Sequence, residues 1–262
     1  MLAFFLIKNF FDSWDSLILL SVVNIIILAV ITGLLSLMYA ARAALPLVIL
    51  LIMVSGIILS ILIVAYGDTA ANIANFAGAH IVDYLKAIPS AAKDGALFGI
   101  LLGAIAAAAY VCIPFYFAQG NLFGIFVGAM FAWLVLFIVL SLQWFVALRS
   151  LLHNSFKKCI KKCFFIFFDN VGFSIFMAVY NLFLVIISVL LFGMLPSFAG
   201  ITLAQVNALR LRLYKYDYLE THSEFVTAKE RKRIPWAELL ANDKEIFGKR
   251  SFKSLIFPWK EM

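Results

Sequence analysis

The chain has 262 residues, of which 65% are hydrophobic and 13% charged, with a mean hydropathy of +1.05 and a net charge of +7. An ordinary soluble domain carries roughly twice that charged fraction, and a water-soluble fold of this length has too little interior to hide so much apolar surface. Composition therefore excludes a soluble globule and points to lipid as the solvent.

The charges are segregated. Residues 97–148 contain no Asp, Glu, Lys or Arg, whereas residues 210–262 hold 12 of the 21 Lys and Arg and 8 of the 14 Asp and Glu. For a membrane chain this basic excess reads as positive-inside bias and attraction to anionic lipid. It does not read as nucleic-acid binding, because no folded basic domain is evident to order the charges on a groove. The three cysteines, Cys112, Cys159 and Cys163, are unevenly spaced and make no disulfide framework.

An all-α polytopic bundle of about six spans is expected, since about 20 apolar residues cross a bilayer as a helix. Residues 1–11, rich in Phe and Leu with Lys8, suit a helix along the inner leaflet. The first span, 16–38, is too long for a cleavable signal core and is read as retained. The second, 44–66, carries Pro46 in its first turn, where a missing N–H does no harm.

Residues 70–88 follow with Ile73, Phe76, Ala77, Tyr84, Leu85 and Ile88 near one helical face, the period of an amphipathic helix. It would lie on the membrane, pack on its own bundle or meet a partner. The third span, 96–118, is expected to kink at Pro114. The fourth, 122–148, leads into a basic loop over 149–162. The fifth is 171–194. A weaker sixth, 196–213, contains Thr202, Gln205 and Asn207; spanning, re-entry and an interfacial position are all open to it.

Orientation follows from the loops. Arg149, Lys157, Lys158, Lys161 and Lys162 follow the fourth span, and Gln119-Gly120-Asn121 before it has no charge. The basic loop is thus expected in the cytoplasm, with the N-terminus and, if the sixth segment crosses, the tail on the same side. Arg42, on an external turn, runs against this rule.

Gly99, Gly103 and Ala107 recur every four residues, as do Gly124, Gly128 and Ala132. Small residues at this spacing let helix backbones approach closely, so the third and fourth spans are expected to form a tight antiparallel pair. Asn24, Gln143 and Asn181 are uncharged polar residues within spans, suited to interhelical hydrogen bonds or to a polar site in the bundle. Asp169, in Phe168-Asp169-Asn170, is read as an N-cap for the fifth span, with a functional carboxylate as the alternative.

The pair Cys159 and Cys163, with His153 before it, lacks an evident fourth ligand for zinc. The neighbouring lysines would lower the thiol pKa. No Gly-rich phosphate loop, Gly-x-Ser-x-Gly or His-Glu-x-x-His is present, so no catalytic residue, cofactor or metal is assigned.

In the tail, Arg231, Lys232 and Arg233 form a basic cluster. Pro235 would open a short helix over 236–247 closed by Gly248. Basic residues then alternate with Phe252, Phe257 and Trp259. Together with Trp236, these suit an anionic membrane surface or a partner groove.

The order of these features resembles the YesL-like family of bacterial membrane proteins (domain of unknown function 624). Phe11-Asp12-Ser13-Trp14-Asp15 opening onto Leu19-Leu20-Ser21-Val22-Val23-Asn24 is similar to the family's first helix. An amphipathic connector precedes the third helix, and Pro114-Phe115-Tyr116 resembles that helix's end. Leu142-Gln143-Trp144, a basic stretch, then Phe168-Asp169-Asn170 resemble the fourth-to-fifth junction. The likeness covers about residues 10–213. The family's Pro-x-x-Thr-like pattern after the first helix has only a partial echo in Ile31-Thr32-Gly33.

The resemblance implies association with carbohydrate ABC importers and supplies no catalytic residues. The expectation is a non-enzymatic auxiliary or scaffold subunit of a bacterial inner-membrane assembly, in contact with lipid and other membrane subunits. The alternatives are a channel or facilitator for a small neutral solute, and an enzyme acting on lipid.

Overall fold

The computed structural model describes residues 1–221, 234–248 and 250. The described chain is an all-α bundle. Its helices are α1 (Leu2–Asp15), α2 (Leu17–Ala40), α3 (Leu45–Ala74), α4 (Ile81–Ala118), α5 (Leu122–Leu142), α6 (Phe145–Leu152), α7 (Phe156–Asp169), α8 (Val171–Leu190), α9 (Ser197–Thr221), α10 (Trp236–Leu239) and α11 (Ala241–Phe247). Among the described residues, five segments are long and apolar enough to cross a membrane: Leu17–Ala40, Pro46–Ala74, Ile81–Ala118, Leu122–Leu152 and Val171–Leu190. These make the protein membrane-embedded.

The sixth segment is also a helix, but it lacks the composition of the other five. α9 carries Arg210, Arg212, Lys215 and Asp217 in its second half. Its first half is buried almost all round, from Ser197 to Leu211, and touches α1, α2, α3, α6 and α8. It is the central strut of the bundle.

Burial is concentrated at one end. On α2 nothing beyond Ile27 is buried; on α3 burial begins at Ser55; on α4 it ends at Gly99. At 1.5 Å per residue α4 is about 57 Å long, far more than the roughly 30 Å of a bilayer's hydrocarbon core. It is thus longer than one crossing needs, and its first half carries Asp83, Lys86, Lys93 and Asp94. The molecule divides into a densely buried base, where α1, α6, α7, α9 and α11 gather around the near ends of α2–α4 and α8, and a lipid-type far zone of α2–α5. The turn joining α8 to α9 does not reach the far end: a Cβ on Gly193 would lie 3.2 Å from the Leu28 side chain, and Leu28 is about 18 Å along the helix from Ala40.

Several sequence expectations change in the folded chain. Residues 70–88 are not one amphipathic helix. α3 runs on to Ala74, α4 starts at Ile81, and Phe76, with φ 58°, lies between them. Ile73 and Tyr84 are buried while Leu85 is exposed, because the pairing of α3 with α4 chooses its own contact face.

The basic loop over 149–162 is largely helical. α7 exposes Lys157, Lys158, Lys161 and Lys162 and buries Cys159, Cys163, Ile166 and Phe167 against α5, α6 and α8. The fourth span turns at Gln143–Trp144. There the Trp144 indole donates to Ser174 Oγ at 3.0 Å and the Gln143 amide donates to the carbonyls of Leu140 (2.7 Å) and Ser174 (3.1 Å). The 236–247 helix is broken at Leu240, and Pro235 precedes its first turn.

The small-residue stripes do not face one another. A Cβ on Gly99 would meet Gly56 O and Ile57 Cα at 2.9 Å, both on α3, and Gly95 is equally tight against Ile61. Gly103 has open space around it, and Ala107 is exposed. Gly124 and Gly128 close instead on Tyr116, Phe117 and Gln119 at the end of α4, while Ala132 is only half-buried. Close approach is real at Gly99, Gly124 and Gly128, but it is shared between two helix pairs.

Candidate functional site: an ionic base and its cleft

Charged residues that look dispersed in the sequence converge in the base. On α1, Lys8 is 1% exposed and donates to Asp12 Oδ2 at 2.5 Å. Asp12 also accepts from Asn207 Nδ2 on α9 at 2.9 Å, and Asn9 donates to Tyr180 OH at 3.1 Å. Lys8 lies 4.2 Å from the Phe76 ring centroid. Burial pushes the Lys8 ammonium down and the Asp12 carboxyl up from their ordinary values, against the attraction between them.

One turn further along α9, Arg210 donates to both oxygens of Asp243 on α11, at 2.5 and 2.9 Å, and to Asn75 Oδ1 at 2.8 Å. Tyr214 OH donates to the same carboxylate at 3.0 Å. Burial opposes the Arg210 charge, but the bidentate Asp243 outweighs it and holds the guanidinium above its ordinary value.

A second cluster joins α6 to the α3–α4 hairpin. Arg149 donates to Asp68, to Asp94 (3.4 Å) and to the Ser90 carbonyl (3.3 Å). Arg149 is therefore an internal cation of the base, balanced by two carboxylates, and not a free charge of a cytoplasmic loop.

Asp169 caps nothing. It ends α7, and α8 begins after Asn170. Its carboxylate accepts from Lys215 Nζ at 2.6 Å, Tyr216 OH at 2.9 Å and Asn170 Nδ2 at 3.1 Å. Partial burial opposes its ionisation, yet these donors win and hold the carboxyl below its ordinary range. The chain crosses from α7 to α8 too abruptly for Asp169 to reach the first N–H groups of α8, so it ties that corner to α9.

Asn24 is wholly buried and fully used. Its Nδ2 donates to the carbonyls of Met194 (2.8 Å) and Pro196 (2.9 Å), and its Oδ1 accepts from Ala199 N (2.9 Å). Asn24 and Gln143 thus fasten backbone. Asn181 stands apart from both, with a buried Oδ1 lacking a partner. The polar residues expected to share a bundle site are dispersed over separate joints.

The lysines flanking Cys159 and Cys163 do not acidify the thiols. Both cysteines face inward, and burial pushes both up from the ordinary value. Among the described residues, no three His, Cys, Asp or Glu side chains converge as metal ligands.

Part of the tail folds back on the base. Phe247 meets the rings of Phe4 and Phe11 edge-on at 5.9 and 5.6 Å, and Leu240 and Asp243 are buried. Trp236 is half-buried, with the Arg212 guanidinium between it and Phe173. Trp236 is thus already committed to its own chain. The other tail residues singled out, Arg231, Lys232, Arg233, Phe252, Phe257 and Trp259, lie outside the described residues.

Between the α1–α2 corner, the α3–α4 turn and α11 lies a cleft of about 750 Å³. Its lining includes Asp12, Asp15, His80 and Arg250 as well as Ile18, Val22 and Ile246. Arg250 pairs with Asp15, both about half exposed. The sequence offered no signal for this cleft, because its walls come from three distant segments. The i, i+4 spacing of Lys8 and Asp12 was the one visible trace of the ionic base.

Compared with family models, curated proteins and solved structures, the chain finds no match in any of the three.

Proposed function

We propose that the protein is a non-enzymatic auxiliary or scaffold subunit of a bacterial inner-membrane assembly, with its ionic base in the cytoplasm. The observation that carries this reading is the internal use of its charged groups. Lys8, Asp12, Asp68, Asp94, Arg149, Asp169, Arg210, Lys215 and Asp243 are all paired with one another. Such groups hold helices in register and offer no free acid–base pair to a substrate. The bound amides of Asn24 and Gln143 count against a facilitator, since a polar path needs groups that exchange partners with a solute.

The same reading gives a topology. α2–α5 cross the bilayer, and α8–α9 form a re-entrant hairpin whose turn stops at the level of Leu28. α1 and α11 then lie on one side, the cytoplasmic one, where the exposed lysines of α7 satisfy the positive-inside rule. Partners are other integral subunits meeting the exposed apolar faces of α4 and α5; the YesL-like resemblance makes sugar ABC permeases the first to look for.

Affinity purification from native membranes in mild detergent, followed by mass spectrometry, tests this. A stoichiometric membrane partner is expected. A partner-free protein that makes proteoliposomes permeable to sugars or polyols would replace the scaffold reading with the facilitator.

A further inference from the structure

The cleft at the α1–α2 corner has a lining that the scaffold reading does not use. It presents Asp15 and Arg250, opposite charges side by side, and His80. It also includes Ile18 and Val22, one turn apart on the same face of α2. Ile18 is 79% exposed, and the stripe continues onto exposed Ile25 of the same apolar span. Trp14, also on the cleft and exposed, has the amphipathic character of residues at the membrane–water boundary. The lining of the cleft thus combines a charged pair with exposed apolar residues of a membrane-type helix.

We infer that this cleft binds a zwitterionic phospholipid of the phosphoethanolamine type. Arg250 takes the phosphate, Asp15 takes the ammonium, and the first part of an acyl chain lies along Ile18 and Val22. Charge complementarity selects the occupant: Asp12, also on the lining, is already paired with Lys8, so Arg250 and Asp15 are left as one cation and one anion side by side, matching a headgroup that carries one of each. The Asp15–Arg250 pair is half exposed, and such a pair contributes little on its own, so a headgroup inserts between the two at small cost. The volume is that of a small-ligand site, enough for a headgroup and a short length of chain. This inference rests on membrane embedding and is independent of the scaffold reading.

The test is native mass spectrometry of the full chain in delipidating detergent, titrated with phosphatidylethanolamine or phosphatidylglycerol of identical acyl chains. One phosphatidylethanolamine is expected to be retained in preference to phosphatidylglycerol. Asp15→Asn is expected to weaken the phosphatidylethanolamine alone, and Arg250→Gln to weaken both lipids, each by roughly ten-fold, the loss of one charge-assisted hydrogen bond. Gly78→Phe places a ring on the lining of the cleft and leaves both members of the pair in the chain. Nothing lies within 4 Å of a Cβ at Gly78, so this variant separates loss of the site from loss of fold. Retention of both lipids equally, no retained lipid, or retention unchanged in all three variants overturns the inference.

Discussion

Asn24 on α2 and Ala199 on α9, 175 residues apart, are joined by a 2.9 Å hydrogen bond from the Ala199 amide to the Asn24 side-chain oxygen. The same side chain holds the carbonyls of Met194 and Pro196. One amide thereby satisfies three backbone groups where α9 begins inside the bundle, a location where water cannot serve them.

Asn24→Leu should therefore be costly. It leaves the Ala199 N–H and the Met194 carbonyl unpaired in a site with no exposure, while the Pro196 carbonyl keeps the Gly200 N–H, for a loss on the order of 3 kcal/mol. A markedly lower Tm in detergent is expected, with Asn24→Asp intermediate because it keeps the acceptor. An unchanged Tm for the leucine variant would mean that water reaches this joint.

Arg149 holds Asp68 and Asp94 together across the α3–α4 hairpin. Arg149→Met strands two carboxylates that are largely covered, costing on the order of 3 kcal/mol. The triple variant with Asp68→Asn and Asp94→Asn is expected to recover much of that loss, because amides carry no charge to desolvate. Urea unfolding in micelles reads both. A triple variant no better than the single would show that the arginine acts through close packing alone.

The Asp169 joint gives a pH dependence whose sign is fixed. Its carboxyl lies below the ordinary value of 3.8 because Lys215, Tyr216 and Asn170 donate to it, outweighing its partial burial. A depressed folded pKa stabilises the fold above the unfolded value, and that contribution disappears as pH falls through the folded value. Wild type should exceed Asp169→Asn in Tm at pH 7, and the gap should close below pH 3.8. A gap that widens on acidification would contradict the assignment.

Cys159 and Cys163 are both fully buried, with thiols pushed up by that burial. Since the thiolate is the reactive form, alkylation by maleimide at neutral pH should, in a Cys112→Ser background that removes the partly exposed third cysteine, be slow in the folded protein and fast once it is denatured. Rapid labelling of the native protein would show that α7 detaches from the base.

The re-entrant hairpin makes a distinct accessibility prediction. In a cysteine-free background, Lys157→Cys should react with a membrane-impermeant reagent from the cytoplasmic side and Arg42→Cys from the opposite side. Leu191→Cys, at the α8–α9 turn, should react from neither. Labelling of residue 191 from the far side would show that α8 crosses completely.

The sequence by itself determined the solvent and the class. Apolar runs such as 97–118 cannot fold in water, and their length and lack of charge made them helices across lipid before any contact was known. It also singled out Asn24 and Gln143, which bond across helices in the folded chain, and Gly99 and Gly124, which lie where another backbone comes close.

Which partner each one meets was decided only by the tertiary structure. Gly99 faces α3 because α3 and α4 pair closely there, and the 3.6-residue period alone does not say which neighbour a face meets. Arg149 read as a loop charge because its two carboxylates lie 81 and 55 residues away in the chain. The same distance in sequence hid the cleft. Local periodicity reports how a segment divides between inside and outside; pairing of buried charges and the meeting of three loops around a void depend on long-range geometry, which exists only once the helices have been set against each other.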